Sequence, residues 1–277
     1  MSNKIKICSL NCQGLGDHNK RRDVINYLRK SNYSIICVQD THFVKKNERL
    51  IRNEWGYKVI FNSYDSRSRG VAIFLNNNFE FNIIDTYTDN SGNFIIACFE
   101  IDSRVLALVN IYGPNKDDPG FYENIVKIIT KLNYNDIIFV GDWNLLLNPE
   151  IDSLNYKHLN NPKARNYVLQ LINVFSLYDV WREEHFDEKK YTWRRKLNDG
   201  VLQKGRLDFF LISESIISFC SNESILPGYR SDHSLIEITL NFDKNIVKRK
   251  TFWKFNNSLL YNKDFVSEME KKKLFKM

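Results

Sequence analysis

The chain has 277 residues, 43% of them hydrophobic and 26% charged, with a net charge of +7. That length gives one large domain or two small ones with a full core. The balance is ordinary for a soluble globular protein. No apolar run approaches the ~20 residues of a membrane helix, so no membrane partner is expected. The basic surplus favours a polyanionic partner, although the runs Lys248-Arg-Lys250 and Lys271-Lys-Lys273 read as solvated tail.

Met1-Ser-Asn-Lys-Ile-Lys enters a strand pattern at once, so no signal peptide is expected. Lys4 to Leu10 alternates as a half-buried strand does, with Asn11 at its exit. Lys20 to Lys30 carries Val24, Ile25 and Leu28 at helical spacing. Ser34 to Val38 is a buried strand that runs into Gln39-Asp-Thr-His42. Tyr57 to Asn62 and Gly70 to Leu75 are expected strands around the polar loop Asp65-Ser-Arg-Ser-Arg69. Phe79 to Tyr87, Asn93 to Ile101 and Arg104 to Tyr112 continue the strand pattern, and Gly113-Pro114 must turn the chain. Phe121 to Leu132 follows as a helix.

Asp136-Ile-Ile-Phe-Val-Gly-Asp-Trp-Asn144 is the stretch around which the chain is organised. Ile137 to Val140 reads as a buried strand, and Gly141 allows a bend or a close approach. If the backbone stays extended, Asp142 and Asn144 project to one side and Trp143 to the other. Ala164 to Phe175 is a helix with Pro162 ahead of it. Tyr191 to Arg194 and Arg206 to Ile212 flank Asn198-Asp-Gly200, a hairpin turn signal. Tyr229-Arg-Ser-Asp-His-Ser234 precedes a last strand, Leu235 to Leu240. Strands follow strands without helices between, so the expected class is α+β (α/β): two mixed β-sheets packed together with helices outside. The domain is expected over 1–243, with 244–277 a linker-like appendage. The five cysteines are scattered through apolar runs, as reduced core residues of an intracellular protein are.

Strand exits and adjacent loops offer Asn11, Asp40, Tyr112, Asp142, Asn144, Asp208, Asp232 and His233. Singly, each reads as a cap, a turn or a satisfied polar group. Together they describe a metal-dependent phosphodiesterase site. Hydrolysis of a phosphodiester needs an activated water, neutralised phosphoryl oxygens and a stabilised leaving oxygen. Carboxylates and amides suit Mg²⁺, and no thiolate or imidazole cluster suits zinc.

Ser9-Leu-Asn11, Gln39-Asp-Thr41, Ser68-Arg-Gly-Val-Ala-Ile73, Asn110-Ile-Tyr-Gly-Pro-Asn115, Gly141-Asp-Trp-Asn144, Tyr191-Thr-Trp193, Gly205-Arg-Leu-Asp208 and Ser231-Asp-His-Ser234 occur in that order. This series resembles the motifs of the endonuclease/exonuclease/phosphatase superfamily, which includes exonuclease III-like apurinic/apyrimidinic endonucleases and DNase I. The likeness is strongest to the endonuclease domains of LINE-type retrotransposons, and Phe252 to Leu260 resembles the segment that leads there to a reverse transcriptase. The resemblance implies a DNase I-like four-layer sandwich. It also implies a Mg²⁺-dependent DNA endonuclease (Mn²⁺ serving as a substitute) that nicks duplex DNA to 3′-hydroxyl and 5′-phosphate ends. Asn11 and Asp40 would hold the metal, with Asp232 near it. Asp142 and Asn144 would position or activate water. Tyr112 would support the phosphate or leaving group, and His233, oriented by Asp208, would bind a phosphate oxygen or transfer a proton. The family usually has Glu where this chain has Asp40, one methylene shorter.

Lys189-Lys-Tyr-Thr-Trp-Arg-Arg-Lys196 interleaves cations with aromatics, as nucleic-acid surfaces do. Arg69, Lys190, Trp193, Arg194, Arg195 and Lys196 are the candidate DNA contacts, and the hairpin Arg195 to Lys204 would choose the nicking site. His18, His42, His158 and His185 show no evident partner in the sequence. A phosphatase of inositol lipids and a decayed DNA-binding module are the alternative functions. A monomer is expected, in the nucleus on the ground of its DNA substrate alone, within a longer parent protein that carries a reverse transcriptase.

Overall fold

The computed structural model describes residues 4–101 and 104–242. The chain opens β1 (Lys4–Asn11), α1 (His18–Lys30), β2 (Ile35–Gln39), α2 (Glu48–Trp55), β3 (Val59–Asn62) and β4 (Val71–Leu75). It continues β5 (Asn82–Thr88), β6 (Phe94–Ile101), β7 (Arg104–Tyr112), α3 (Pro119–Leu132) and β8 (Asp136–Asp142). Then come α4 (Pro149–Asp152), β9 (Ser153–Leu154), α5 (Pro162–Val174), β10 (Leu177–Asp179) and α6 (Val180–Glu184). It closes with β11 (Trp193–Lys196), β12 (Leu202–Gly205), β13 (Asp208–Ser213), α7 (Glu214–Ile217), β14 (Cys220–Leu226) and β15 (Leu235–Asn241).

One six-stranded sheet runs β14-β15-β1-β2-β4-β3 and the other β10-β13-β8-β7-β6-β5. Each has one parallel pair at its centre, β1 with β2 and β7 with β8. A parallel pair needs a crossover, and α1 and α3 supply them. The sheets face each other through Ile7, Ile35, Cys37 and Ile73 on one side and Ile95, Leu108, Val140 and Phe210 on the other. Their outer faces are covered by helices: Val24, Leu28, Ile51 and Trp55 on the first sheet, Tyr122, Ile125, Val168 and Leu171 on the second. Central strands are therefore buried on both faces, which is why β2, β4 and β8 read as apolar runs rather than alternating ones. All five cysteines are free and buried in these layers.

Several local expectations change. Arg206 to Ile212 does not form the hairpin with Tyr191 to Arg194. The partner of β11 is β12, with Trp193 opposite Gly205, while β13 joins the second large sheet. β11, β12 and β9 form a small third sheet. The extended backbone also stops at Asp142, because Asn144 is left-handed at φ 51°. Trp143 still points inward, stacked between Tyr122 at 5.8 Å and Phe209 at 4.9 Å. Gly141 is required where it stands: at φ 138°, a Cβ there would lie 2.0 Å from the Ile111 carbonyl oxygen. Helix α2 escapes sequence patterning because only Ile51 and Trp55 are buried in it. The appendage expected from 244 onward lies outside the described residues. Among the described residues no helix is long and apolar enough to cross a membrane.

Candidate active site

The parallel strands end together, and their ends carry the polar residues: Asn11 on β1, Asp40 just past β2, Tyr112 on β7 and Asp142 on β8. Beneath them a buried amide pair ties the sheets. Gln39 Nε2 donates to Asn110 Oδ1 at 2.6 Å and to Ser9 Oγ at 2.9 Å. Asn110 Nδ2 in turn donates to the Val38 and Ala72 carbonyls. Register then does the rest. Tyr112 lies beside Asp142 in the β7–β8 pair, and Asp208 lies opposite Asp142 in the β8–β13 pair.

His233 completes this group from the loop ahead of β15. Its Nδ1 donates to Asp208 Oδ2 at 2.8 Å, and its Nε2 stands 3.8 Å from Asp142 Oδ2. Ser231 holds that loop, with its hydroxyl on the Asn11 carbonyl at 2.6 Å. Asp142 Oδ2 also accepts Asn11 Nδ2 at 2.8 Å, and Oδ1 accepts the Asn144 N–H at 2.9 Å. Burial, reinforced by the Asp208 charge, raises the Asp142 carboxyl above its ordinary value, against the pull of His233. Burial opposes the His233 imidazolium, but Asp208 and Asp142 outweigh it and raise that group. Burial, with the Asp40 and Asp142 charges nearby, pushes the Tyr112 phenol well above its ordinary value.

Asn144 is held on every side. Its Nδ2 donates to the Gly113 carbonyl at 2.7 Å, and its own carbonyl accepts Asn160 Nδ2 and Asn161 Nδ2, each at 2.8 Å. Asn144 lines the cleft. Trp193 Nε1 donates to Asp232 Oδ2 at 3.2 Å, while Asp232 Oδ1 is buried with no partner among the described residues.

These groups line an open polar cleft of about 630 Å³. Asn11, Asp40, Tyr112, Asp142, Asn144, Asp232 and His233 all border it, and Asp208 stands behind His233. Of the candidate DNA contacts, Trp193 and Arg195 line the cleft. The two-residue strand period turns Arg194 and Lys196 to the other face of β11, and Lys190 is exposed ahead of it. Arg69 lies in an adjoining groove of about 760 Å³ that shares Tyr112 and Asn115 with the cleft. Its backbone N–H donates to Asp40 Oδ1 at 3.0 Å.

Sequence reasoning missed one wall. Asn155, Tyr156, Lys157, His158 and Asn160 come from the loop between β9 and α5. That loop has no periodicity; its one signal was a polar, aromatic run ahead of Pro162. Three of the four histidines without evident partners acquire them: His18 faces Glu54 at 3.9 Å, His42 meets Asp40 at 3.1 Å and His185 meets Glu188 at 2.9 Å, while His158 lines the cleft.

Two groups of side chains could hold a cation. Asp142, Asp208 and His233 bring candidate ligand atoms within 4.8 Å of one another. There Nδ1 is committed to Asp208, and Nε2 stands 3.8 Å from Asp142 Oδ2. Asn11, Asp40 and Asp232 offer oxygen alone, and Asp232 has a buried oxygen wanting a partner. That donor set fits a hard cation such as Mg²⁺.

Comparison with known proteins gives the family and the fold. The model of the Endonuclease/Exonuclease/phosphatase family matches residues 8–233. The transposon TX1 uncharacterized 149 kDa protein of Xenopus laevis is 26% identical over 272 residues, covering 96% of this chain. The chain spans only 20% of that protein's length. A DNA-(apurinic or apyrimidinic site) endonuclease of Dictyostelium discoideum is also 26% identical, over 87% of this chain and 72% of its own. Among solved structures, the AP endonuclease LMAP of Leishmania major superposes with a TM-score of 0.74 at 15% identity, covering 86% of this chain and 88% of that one. An AP endonuclease of Archaeoglobus fulgidus superposes with a TM-score of 0.69 at 19% identity, covering 85% and 99%. These likenesses give the DNase I-like fold, and with the match over residues 8–233 the chain belongs to the endonuclease/exonuclease/phosphatase family.

Proposed function

We propose that the chain is a metal-dependent DNA endonuclease that nicks one strand of a duplex, leaving a 3′-hydroxyl and a 5′-phosphate. The observation that carries this is the meeting of Asp142, Asp208 and His233 at one end of an open polar cleft. Water attacks phosphorus and the P–O3′ bond breaks. Asp142, whose raised proton affinity suits a base, takes the water's proton. Asn144, whose amide nitrogen is committed to Gly113, would offer its side-chain oxygen to that water. His233, kept protonated by its carboxylates, donates from Nε2 to a phosphoryl oxygen. Tyr112 remains a phenol at neutral pH and donates toward the phosphate or the departing 3′ oxygen. Asn11, Asp40 and Asp232 would hold Mg²⁺, which when bound supplies positive charge for the phosphoryl and leaving oxygens. Arg69, Trp193 and Arg195 face DNA from the cleft and its adjoining groove.

The names of the relatives support DNA as the substrate. The match to a far longer transposon protein supports a retrotransposon-type enzyme, in which the new 3′-hydroxyl primes reverse transcription. The endonuclease domain is 1–243, with 244–277 leading toward a further domain in a longer parent. It acts as a monomer, in the nucleus where its substrate lies. Nicking of supercoiled plasmid in Mg²⁺, lost in EDTA and in Asp142→Asn and His233→Ala, is the expected result. Phosphate release from an inositol lipid without nicking would transfer the assignment to a phosphatase. Salt-sensitive DNA binding without cleavage would make the chain a DNA-binding module.

A further inference from the structure

The turn after β2 folds back on its own carboxylate. Asp40 and His42 both take left-handed backbone, at φ 49° and 57°. Thr41 N–H and His42 N–H are anchored to the Gly70 and Arg69 carbonyls, at 2.9 and 2.8 Å. This geometry brings His42 Nε2 to 3.1 Å from Asp40 Oδ1. A carboxylate only accepts, so the ring is the donor. The same oxygen accepts the Arg69 N–H at 3.0 Å. One oxygen of Asp40 thus carries two donors, the Tyr112 phenol bonds the same carboxylate, and Asp40 lines the cleft.

The ring itself is wedged. A Cβ at Gly14, φ 79°, would lie 2.8 Å from His42 Nδ1 and 3.0 Å from Cε1. Gly14 N–H also bonds the Asp40 carbonyl at 2.7 Å. A glycine at the exit of β1, an imidazole and a carboxylate therefore form one packed unit. The pair is mostly shielded, with 22% of the His42 side chain and 16% of the Asp40 side chain exposed.

We propose that His42 is a positioning residue: by holding Oδ1 of Asp40 it aims the other oxygen at the bound cation, given the assignment of Asp40 as a ligand above. The chemistry supplies the reason. Asp40 is shorter than the glutamate usual in the family, and Mg²⁺ tolerates errors of distance and angle poorly. A short carboxylate free about its own torsions would meet the ion in many orientations. The His42 ring and the Arg69 N–H on Oδ1, with the Tyr112 phenol on the same carboxylate, narrow that choice. Hydrogen-bond partners of metal ligands are typically worth about 10–100-fold in affinity.

The test is Mn²⁺ binding by the full chain, read from the loss of the free-ion electron spin resonance signal and so independent of DNA cleavage. His42→Ala is expected to weaken Mn²⁺ binding about 10–100-fold. His42→Gln, which keeps a donor, should recover most of that loss. Gly14→Ala leaves the imidazole in place but pushes it off Asp40, so it should weaken binding too, even if His42→Ala fails to fold. In an Asp40→Ala background, His42→Ala should add nothing. Unaltered affinity in His42→Ala overturns the proposal, as does an equal loss in the Asp40→Ala background. No Mn²⁺ binding by the unsubstituted chain overturns it together with Asp40 as a ligand. Affinity shifts as stated, in a chain that cuts no DNA, uphold the positioning role while the endonuclease assignment fails.

Discussion

His233 Nδ1 donates to Asp208 Oδ2 at 2.8 Å across 25 residues of sequence, and both groups are buried. The bond fixes the ring so that Nε2 faces Asp142 and the cleft. Asp208→Asn keeps the shape but removes the charge that orients the ring and sustains its proton. Nicking by this variant should fall about 10²–10⁴-fold with the melting temperature little changed. A plasmid assay within about threefold of the parent chain would count against the role.

Asp40→Glu restores the reach of the family's usual ligand. The Mg²⁺ concentration for half-maximal nicking should drop several-fold, roughly 1 kcal/mol or more of affinity. A Mg²⁺ titration checks it, and an unchanged or higher midpoint would show that the shorter side chain already fits.

Asn160 and Asn161 share one acceptor, the Asn144 carbonyl. Each single alanine variant leaves the other donor in place and should slow turnover about twofold to fivefold. The double variant should lose more than the product of the singles, with KM nearly constant, because the carbonyl is then left unpaired. Steady-state kinetics on a short duplex separate these outcomes.

Asp152 lies buried under Arg206 and Arg182, accepting from Arg206 Nε at 2.7 Å and from Arg182 Nη2 at 2.6 Å. Burial pushes its carboxyl up, but Arg206, the Asn148 N–H and Arg182 outweigh that and hold it below the ordinary range. A depressed folded-state value stabilises the fold above the unfolded value, and that stability is lost as pH falls through the folded one. Asp152→Asn should therefore cost about 1.5–3 kcal/mol near neutral pH, since Arg182 loses its carboxylate partner and Arg206 keeps only Asp179. Urea unfolding should show the gap between variant and parent narrowing below about pH 4, where the unfolded chain's Asp152 takes up a proton, and closing as pH falls through the lower folded value.

Arg195 and Gln203 lie opposite each other on the β11–β12 hairpin and both line the cleft. Exchange of the turn around Asn198-Asp-Gly200 should shift which sequences are nicked while sparing the rate on a nonspecific plasmid. Mapping of nick positions decides it. Complete loss of cleavage with no change of preference would mean that the hairpin serves only structure.

Much of the site was legible because strand exits are local events. Asn11, Asp40, Tyr112 and Asp142 each stand where an apolar run stops, and the order of motifs around them pointed to the family. The loop from Asn155 to Asn161 was not legible, since irregular backbone has no period to betray which way it faces. The same limit hid the pairing of His42 with Asp40, which depends on left-handed backbone at both residues rather than on spacing.

By itself, then, the sequence determined the layers: two-sided burial forces unbroken apolar strands, and the short polar residues of the site follow where those apolar runs stop. The tertiary structure alone decided the chemistry of the groups at those ends. Asp142 is raised because it is out of water, and because Asp208 lies opposite it in an antiparallel register. His233 is raised because those two carboxylates converge on it. Proton affinity follows distance and solvent exclusion, and neither is written in the order of residues.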